Sequence, residues 1–307
     1  MSTIALFLLP ALALYLTFVL LPIVQAAYYS LFKWNGLEPL NNFIMLDNYD
    51  KAINEELFRR ALSNNVVIIF LSLTLQIPAA LGLAVFLNHR FPGRTIFRLI
   101  FFLPYVISEV VTGIIFYLLL QPSGPANAGL DAVGLGSLQQ DWWGNISPIQ
   151  IGLGPLTLTA AFVLITMFVV ISWKYFGLHM ILLLAGLQGI PHEIQEAALI
   201  DGAGRWQAFR YVTLPLLGPT LRVSIFLSVI GALQLFDIVY ATTRGGPVHM
   251  SDSMAYYMVD FGFYRQQMGY GSALAVMLFG ICFVFAVIYQ RFVLRRDTEG
   301  ALTFSAY

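Results

Sequence analysis

Residues 196–215 read Glu-Ala-Ala-Leu-Ile-Asp-Gly-Ala-Gly-Arg-Trp-Gln-Ala-Phe-Arg-Tyr-Val-Thr-Leu-Pro, the longest polar interruption in a strongly apolar second half. An apolar run at 157–187 precedes this stretch and another at 219–240 follows it. Pro191 sits where a first helical turn would begin, and Glu193 and Glu196 close behind suit the positive end of a helix dipole. Asp201-Gly202 is a turn signal that ends this short helix. A second helix can start at about Arg205 and should stop before Leu214-Pro215, because a residue preceding proline avoids the α region. The expected unit is helix, sharp turn, helix, lying on one membrane face. Local physics also allows such an amphipathic unit simply to rest on lipid headgroups.

Composition sets the solvent. Of 307 residues, 59% are hydrophobic and 10% charged, against about 25% charged in a soluble domain. Mean hydropathy is +0.77. These values define an integral membrane protein embedded in a lipid bilayer. Lys+Arg and Asp+Glu are both 16, so no net field recruits nucleic acid. Cys282 lies in an apolar run and reads as a buried structural thiol. His89, His179, His192 and His249 are scattered and make no metal spacing.

Six spans are expected, at about 4–31, 61–87, 96–120, 157–187, 219–240 and 270–294. Pro10 and Pro22 should bend the first, which membrane helices tolerate when neighbours satisfy the freed backbone. Residues 32–60 are polar, with a turn at Trp34-Asn35-Gly36 and a short surface helix near 48–58. Residues 1–60 therefore read as a first transmembrane helix plus an outer surface segment. Residues 61–307 read as a five-helix core with a loop at 190–217. The stretch 121–155 reads as a long loop without Lys or Arg, its Trp142-Trp143 placed for an interfacial belt. In 242–269, Met254, Tyr257, Met258 and Phe261 recur at helical spacing in a segment too short to span, which is expected in the interface.

Six spans place both termini on one side. That side carries Arg90, Arg94, Arg98, Arg205, Arg210, Arg222, Arg291, Arg295 and Arg296, against Lys33, Lys51, Arg59, Arg60, Arg244 and Arg265 on the other. The bias favours termini and 190–217 loop in the cytoplasm. No Gly-x-x-x-x-Gly-Lys-Ser/Thr, His-Glu-x-x-His or Gly-x-Ser-x-Gly occurs, so neither a phosphate loop nor a common hydrolase signature is present. The chain reads as a conduit driven by something else. The alternative is a self-sufficient secondary transporter or intramembrane enzyme, although no convincing repeat relates the halves.

The polar stretch resembles the EAA motif of the membrane subunits of ABC importers. Glu196-Ala197-Ala198 is followed by three residues and Gly202, then nine residues to Val212, then Thr213 and Leu214-Pro215. The departure is Val212 in place of Ile, which keeps the β-branched shape. The resemblance covers nearly the whole chain, and the surrounding sequence is similar to the carbohydrate-uptake branch. It implies an all-α integral membrane protein with six transmembrane helices and a cytoplasmic coupling helix, the type I importer permease fold. It further implies a permease with no cofactor and no catalysis of its own, ATP and Mg being bound by a partner ATPase. The partners implied are a second permease, in this branch a different homologue, two nucleotide-binding subunits and an extracytoplasmic solute-binding protein. The implied location is a bacterial or archaeal cytoplasmic (inner) membrane, multi-pass, with both termini cytoplasmic. Glu196, Ala197, Ala198, Asp201, Gly202, Leu214 and Pro215 would form the ATPase-coupling surface, with the two alanines permitting close approach.

Depth arithmetic proposes a solute path. At about 1.5 Å per residue in a core about 30 Å thick, Glu109 should lie roughly 20 Å above the cytoplasmic end of its span. By the same rise, Gln234 and Asp237 should lie about 20 to 24 Å up the fifth span, sharing one helix face at i, i+3. Tyr117, Phe236, Tyr240 and Tyr270 offer aromatic faces at that level. Glu109, Tyr117, Gln234 and Asp237 are thus candidate lining for a sugar or related polar solute, or else polar links between helices. Lys174 is expected toward the inner end of the fourth span, either snorkelling to the surface or pairing with Glu109. Copurification tests the first reading against its alternative. An importer subunit brings down an ATPase and a second permease, and a self-sufficient protein brings down neither.

Overall fold

Six apolar stretches must hide their backbone groups from lipid, and they do so as helices, two of them broken. In the computed structural model, the described residues are 2–89, 91–153 and 156–294. Arg90, Arg295 and Arg296, counted above for orientation, lie outside them. Four helices are long and apolar enough to cross a membrane: α1 (Phe7–Tyr29), α3 (Glu56–Asn88), α7 (Phe162–Gln188) and α13 (Met268–Leu294). The short surface helix α2 (Asp47–Asn54) lies between the first two. Two further spans are bent pairs. The helix α4 (Arg94–Val106) meets α5 (Glu109–Leu119) at 97°, and α9 (Arg205–Leu216) meets α10 (Gly218–Leu233) at 67°. Counting each pair once gives the expected six.

Three prolines leave the same mark. Five-residue π turns at Leu16–Leu20, Ser72–Gln76 and Phe209–Thr213 each precede a proline by two positions: Pro22, Pro78 and Pro215. In all three, the residue before the proline donates five residues back, Leu21 to Leu16, Ile77 to Ser72 and Leu214 to Phe209. The widened turn makes room for the ring and skips a donor that proline lacks. The expectation that the helix after Arg205 stops before Leu214-Pro215 is therefore corrected. Leu214 stays α-helical (φ −65°, ψ −42°), and α9 runs on to Leu216.

The 121–155 loop also holds more structure than expected. It contains α6 (Pro125–Ala132) and an antiparallel hairpin of β1 (Pro148–Leu153) with β2 (Leu156–Ala161), registered Ile149 to Ala160 and Ile151 to Leu158. The strands follow period-two alternation in Ile-Gln-Ile and Leu-Thr-Leu-Thr. Residues 157–161, assigned above to the fourth span, belong to this hairpin, and α7 starts at Phe162. Trp143 is buried in the main core, and the Trp142 ring lies tilted against Phe162, 5.9 Å between centroids.

The long α7 is the hub. Its Val163, Leu164 and Met167 pack with Val67, Ile68 and Leu71 of α3 and with Ala232 of α10. Towards its other end, Met180, Leu183 and Leu187 meet Ala80, Ala84 and Leu87 of α3 and Leu217. Gly177 lets α4 cross tightly, since a Cβ there would stand 1.9 Å from the Phe101 carbonyl oxygen. A third core joins α2, α3 and α13 to α12 (Met254–Val259) through Ala52, Phe58, Tyr257 and Leu274. Met254, Tyr257 and Phe261 are thus buried within protein. Gly177→Leu forces α4 away from α7, at an overpacking cost of about 1–3 kcal/mol. Its thermal unfolding midpoint in detergent should fall below the wild type's, and an unchanged midpoint would contradict this packing.

Candidate functional site

The 196–215 stretch is built by local rules. The helix α8 (His192–Ile200) follows Pro191 at its N-cap and ends at Asp201. Gly202 adopts φ +88°, a left-handed conformation that a β-carbon resists. Its N–H donates to Leu199 O at 3.1 Å, and Ala203 N–H donates to Ala198 O at 3.0 Å, a double closure of the helix end. Gly204 then caps α9, its N–H donating to Gln207 Oε1 at 2.8 Å. Glu196 and Ala197 are exposed, while Ala198 is half-buried. Large apolar groups stand in the open beside them: Ile200 is 84% exposed, Trp206 69% and Tyr211 72%.

A second constellation lies inside the bundle. The break between α4 and α5 at Ile107-Ser108 leaves carbonyls of the last α4 turn without helical partners. Lys174, near the middle of α7 and 2% exposed, donates from Nζ to Tyr105 O at 3.3 Å and to Ile107 O. It neither snorkels nor lies toward the inner surface, which corrects both expected placements. Glu109 opens α5, where a carboxylate complements the positive helix end. The Tyr175 hydroxyl donates to Glu109, and Lys174 lies within electrostatic reach of it. A cation thus closes the negative end of one half-helix while an anion occupies the positive end of the next.

The second broken end is closed by amide and hydroxyl. After α10, residues 234–236 leave helical geometry and α11 (Asp237–Ala241) starts afresh. Gln234 and Asp237 therefore do not share a helix face, contrary to the straight-span expectation. Asn65, fully buried, donates to Ala232 O at 2.5 Å and accepts from Met254 N–H at 2.9 Å. Ser253 Oγ donates to Leu235 O. Beyond it, His249 Nδ1 meets Asp252 Oδ2 at 2.7 Å. Burial pushes the Asp252 carboxyl up to about 6, against the pull of His249.

Between α3, α7 and α10 lies a cavity of about 250 Å³. Ser72, Gln76, Tyr175, His179 and Ser228 supply its polar groups, with Ile68, Leu227 and Leu235 among the apolar ones. Gln76 Nε2 is buried there without a hydrogen-bond partner, and His179 Nδ1 meets Ser224 Oγ at 2.7 Å. Of the expected solute-path residues, Glu109 joins this cavity through Tyr175, and Asp237 follows the lining Leu235 by two positions. Gln234 and Tyr117 are exposed, and the Tyr117 carbonyl accepts from Trp143 Nε1 at 3.3 Å. The cavity's own polar set went unread in the sequence. Its signal is the i, i+4 pairs Ser72/Gln76 and Tyr175/His179 inside apolar runs.

Six spans, two of them bent pairs, a polar cavity between α3, α7 and α10, and an exposed helix-turn-helix at one end define a membrane transport subunit. Residues 76–298 match the family model described as binding-protein-dependent transport system inner membrane component, and the chain belongs to that family. It is 32% identical over 290 residues to the probable ABC transporter permease protein YurN of Bacillus subtilis, covering 94% of both chains. It is 33% identical over 288 residues to the trehalose/maltose transport system permease protein MalF of Thermococcus litoralis, covering 93% of this chain and 92% of that one. Its fold is similar to a chain of a bacterial ABC transporter that imports the acidic polysaccharide alginate, with a TM-score of 0.79, 22% identity and 96% coverage of each.

The charge arrangement at the α4–α5 break yields a coupled prediction. Lys174→Met leaves two carbonyls and Glu109 uncompensated, about 1–3 kcal/mol for each unpaired group. Lys174→Met with Glu109→Gln should lose less than the sum of the two single losses in thermal unfolding. Additive losses would show that the groups do not act together.

Proposed function

We propose that this chain is the permease subunit of an ATP-driven importer for an oligosaccharide or related polar solute, coupled to a separate ATPase through residues 196–215. The observation that carries the proposal is the coupling unit itself. Its backbone is fixed by Gly202, yet its Ile200, Trp206 and Tyr211 stand largely exposed among the described residues. A groove in an ATPase subunit would cover them, with Glu196 and Asp201 finding donors at its rim and Ala197 permitting close approach. Leu214 and Pro215 sit where α9 leaves its π turn and enters the bend to α10, so a push on α8 reaches the broken span. ATP and Mg would be held by that partner, and this chain would supply no catalysis.

A second permease is supported by α1. None of its apolar window is buried within the chain, and its later half touches α13. A homologous subunit would cover what this chain leaves bare. Two nucleotide-binding subunits and an extracytoplasmic binding protein would complete the assembly, with both termini and the coupling unit in the cytoplasm. Relatives named for trehalose/maltose, multiple sugars and lactose support a carbohydrate solute. The cavity's hydroxyl, amide and imidazole groups suit such a solute, with Glu109 and Asp237 on its approach and Gln234 and Tyr117 further out.

The reconstituted complex separates the two roles. Gly202→Val and Glu196→Lys should insert normally and abolish binding-protein-stimulated ATP hydrolysis. Ser228→Leu and Gln76→Ala should retain stimulated hydrolysis while solute uptake drops about tenfold or more, the loss of one to two buried hydrogen bonds. Wild-type uptake in all four variants would refute the proposal.

A further inference from the structure

At the end of the bundle opposite the coupling unit, the segment between α1 and α3 encloses an open cleft of about 910 Å³ against the start of α13. This cleft is pre-formed. Lys33 N–H donates to Asn42 O, Ile44 N–H to Leu31 O and Gly269 N–H to Trp34 O, each at 2.9 Å, which staples the segment to itself and to α13. Trp34 is held by its Nε1 donating to Glu38 O at 2.6 Å and by Tyr29, 4.7 Å away between ring centroids. Lys51 donates to Gln267 Oε1 at 3.1 Å and stands 4.1 Å over the Tyr270 ring.

Free polar groups face into this frame. Asn48 is 6% exposed and spends its amide hydrogens on Ser30 O at 2.8 Å and Phe32 O at 3.0 Å. Two carbonyl partners fix the amide's orientation, so its Oδ1 is presented as an acceptor on the cleft wall. The side chains of Asn41 and Asn42 line the same cleft and make no hydrogen bond among the described residues. Lys33 and Lys51 balance Glu38 and Asp47, so the lining carries no net charge.

We propose that this cleft is a binding site for a neutral oligosaccharide, separate from the cavity inside the bundle. Carboxamides donate and accept at once, which suits vicinal hydroxyls, and the Trp34 indole offers an apolar face to a sugar ring's C–H groups. The balanced charge disfavours anionic phospholipid headgroups. The volume, within the usual range for ligand sites, accommodates more than a monosaccharide. The site would hold a chain of sugar units at the surface where solute arrives, whichever route crosses the membrane.

The purified full-length protein in detergent is applied to an array of neutral oligosaccharides, and any hit is titrated, with glycerol 3-phosphate as the headgroup probe. At least one oligosaccharide should bind. The double variant Asn41→Ala/Asn42→Ala, which removes exposed side chains and keeps the stapling backbone carbonyl of Asn42, should weaken it about tenfold or more. Trp34→Ala should also weaken it, and Gly231→Leu, at a residue lining the bundle cavity, should leave it unchanged. An array with no hit, undiminished binding in the double variant, displacement by glycerol 3-phosphate, or loss in Gly231→Leu would each overturn the assignment. None of these outcomes alters the coupling-unit test, so the two proposals fail separately.

Discussion

The ammonium of Lys174 closes a helix end that stops inside an apolar bundle, and much of the structure depends on that closure. In lipid, an unpaired carbonyl costs several kcal/mol, so a span breaks only where something else meets its backbone. Lys174 meets the end of α4, and Glu109 with Tyr175 holds the start of α5. At that closure α5 turns 97° from α4 and packs against α11.

The same constraint recurs in different chemistry. At the end of α10, Asn65 and Ser253 donate to the Ala232 and Leu235 carbonyls, as Lys174 donates to Tyr105 and Ile107 at the end of α4. At Pro22, Pro78 and Pro215, the chain needs no side chain, because a π turn removes the demand for the missing donor. Irregular backbone clusters beside the polar cavity, where Ala232 and Leu235 are both lining residues and neighbours of a capped break. A transport path needs polar groups at membrane depth, and broken helices with capped ends provide them without stranding the backbone.

The helix-turn-helix of α8 and α9 was the most legible part of the sequence. Its signals are local: Pro191 at the start of the first helix and Asp201-Gly202 at its stop. Each acts within a few residues, so spacing alone fixes the geometry. The solute path was less legible. Depth arithmetic assumed straight spans, and both spans that carried the candidates are broken, which separated Gln234 from Asp237 and put Tyr117 beyond the bend. Tyr175 and His179 were hidden in an apolar run of α7, where a polar group counts only if a partner faces it.

By itself, the sequence determined that the chain lies in a membrane, that it has six apolar stretches, and that a helix-turn-helix separates the fourth from the fifth. Those properties follow from composition, run length and turn chemistry, which are local sums along the chain. Only the tertiary structure decided which spans break, which way Lys174 points and which polar groups share a cavity. The physical reason is that a helix break is stable only when a distant residue satisfies its ends. Asn65 and Ala232, or Lys174 and Ile107, are strangers in sequence and partners in space.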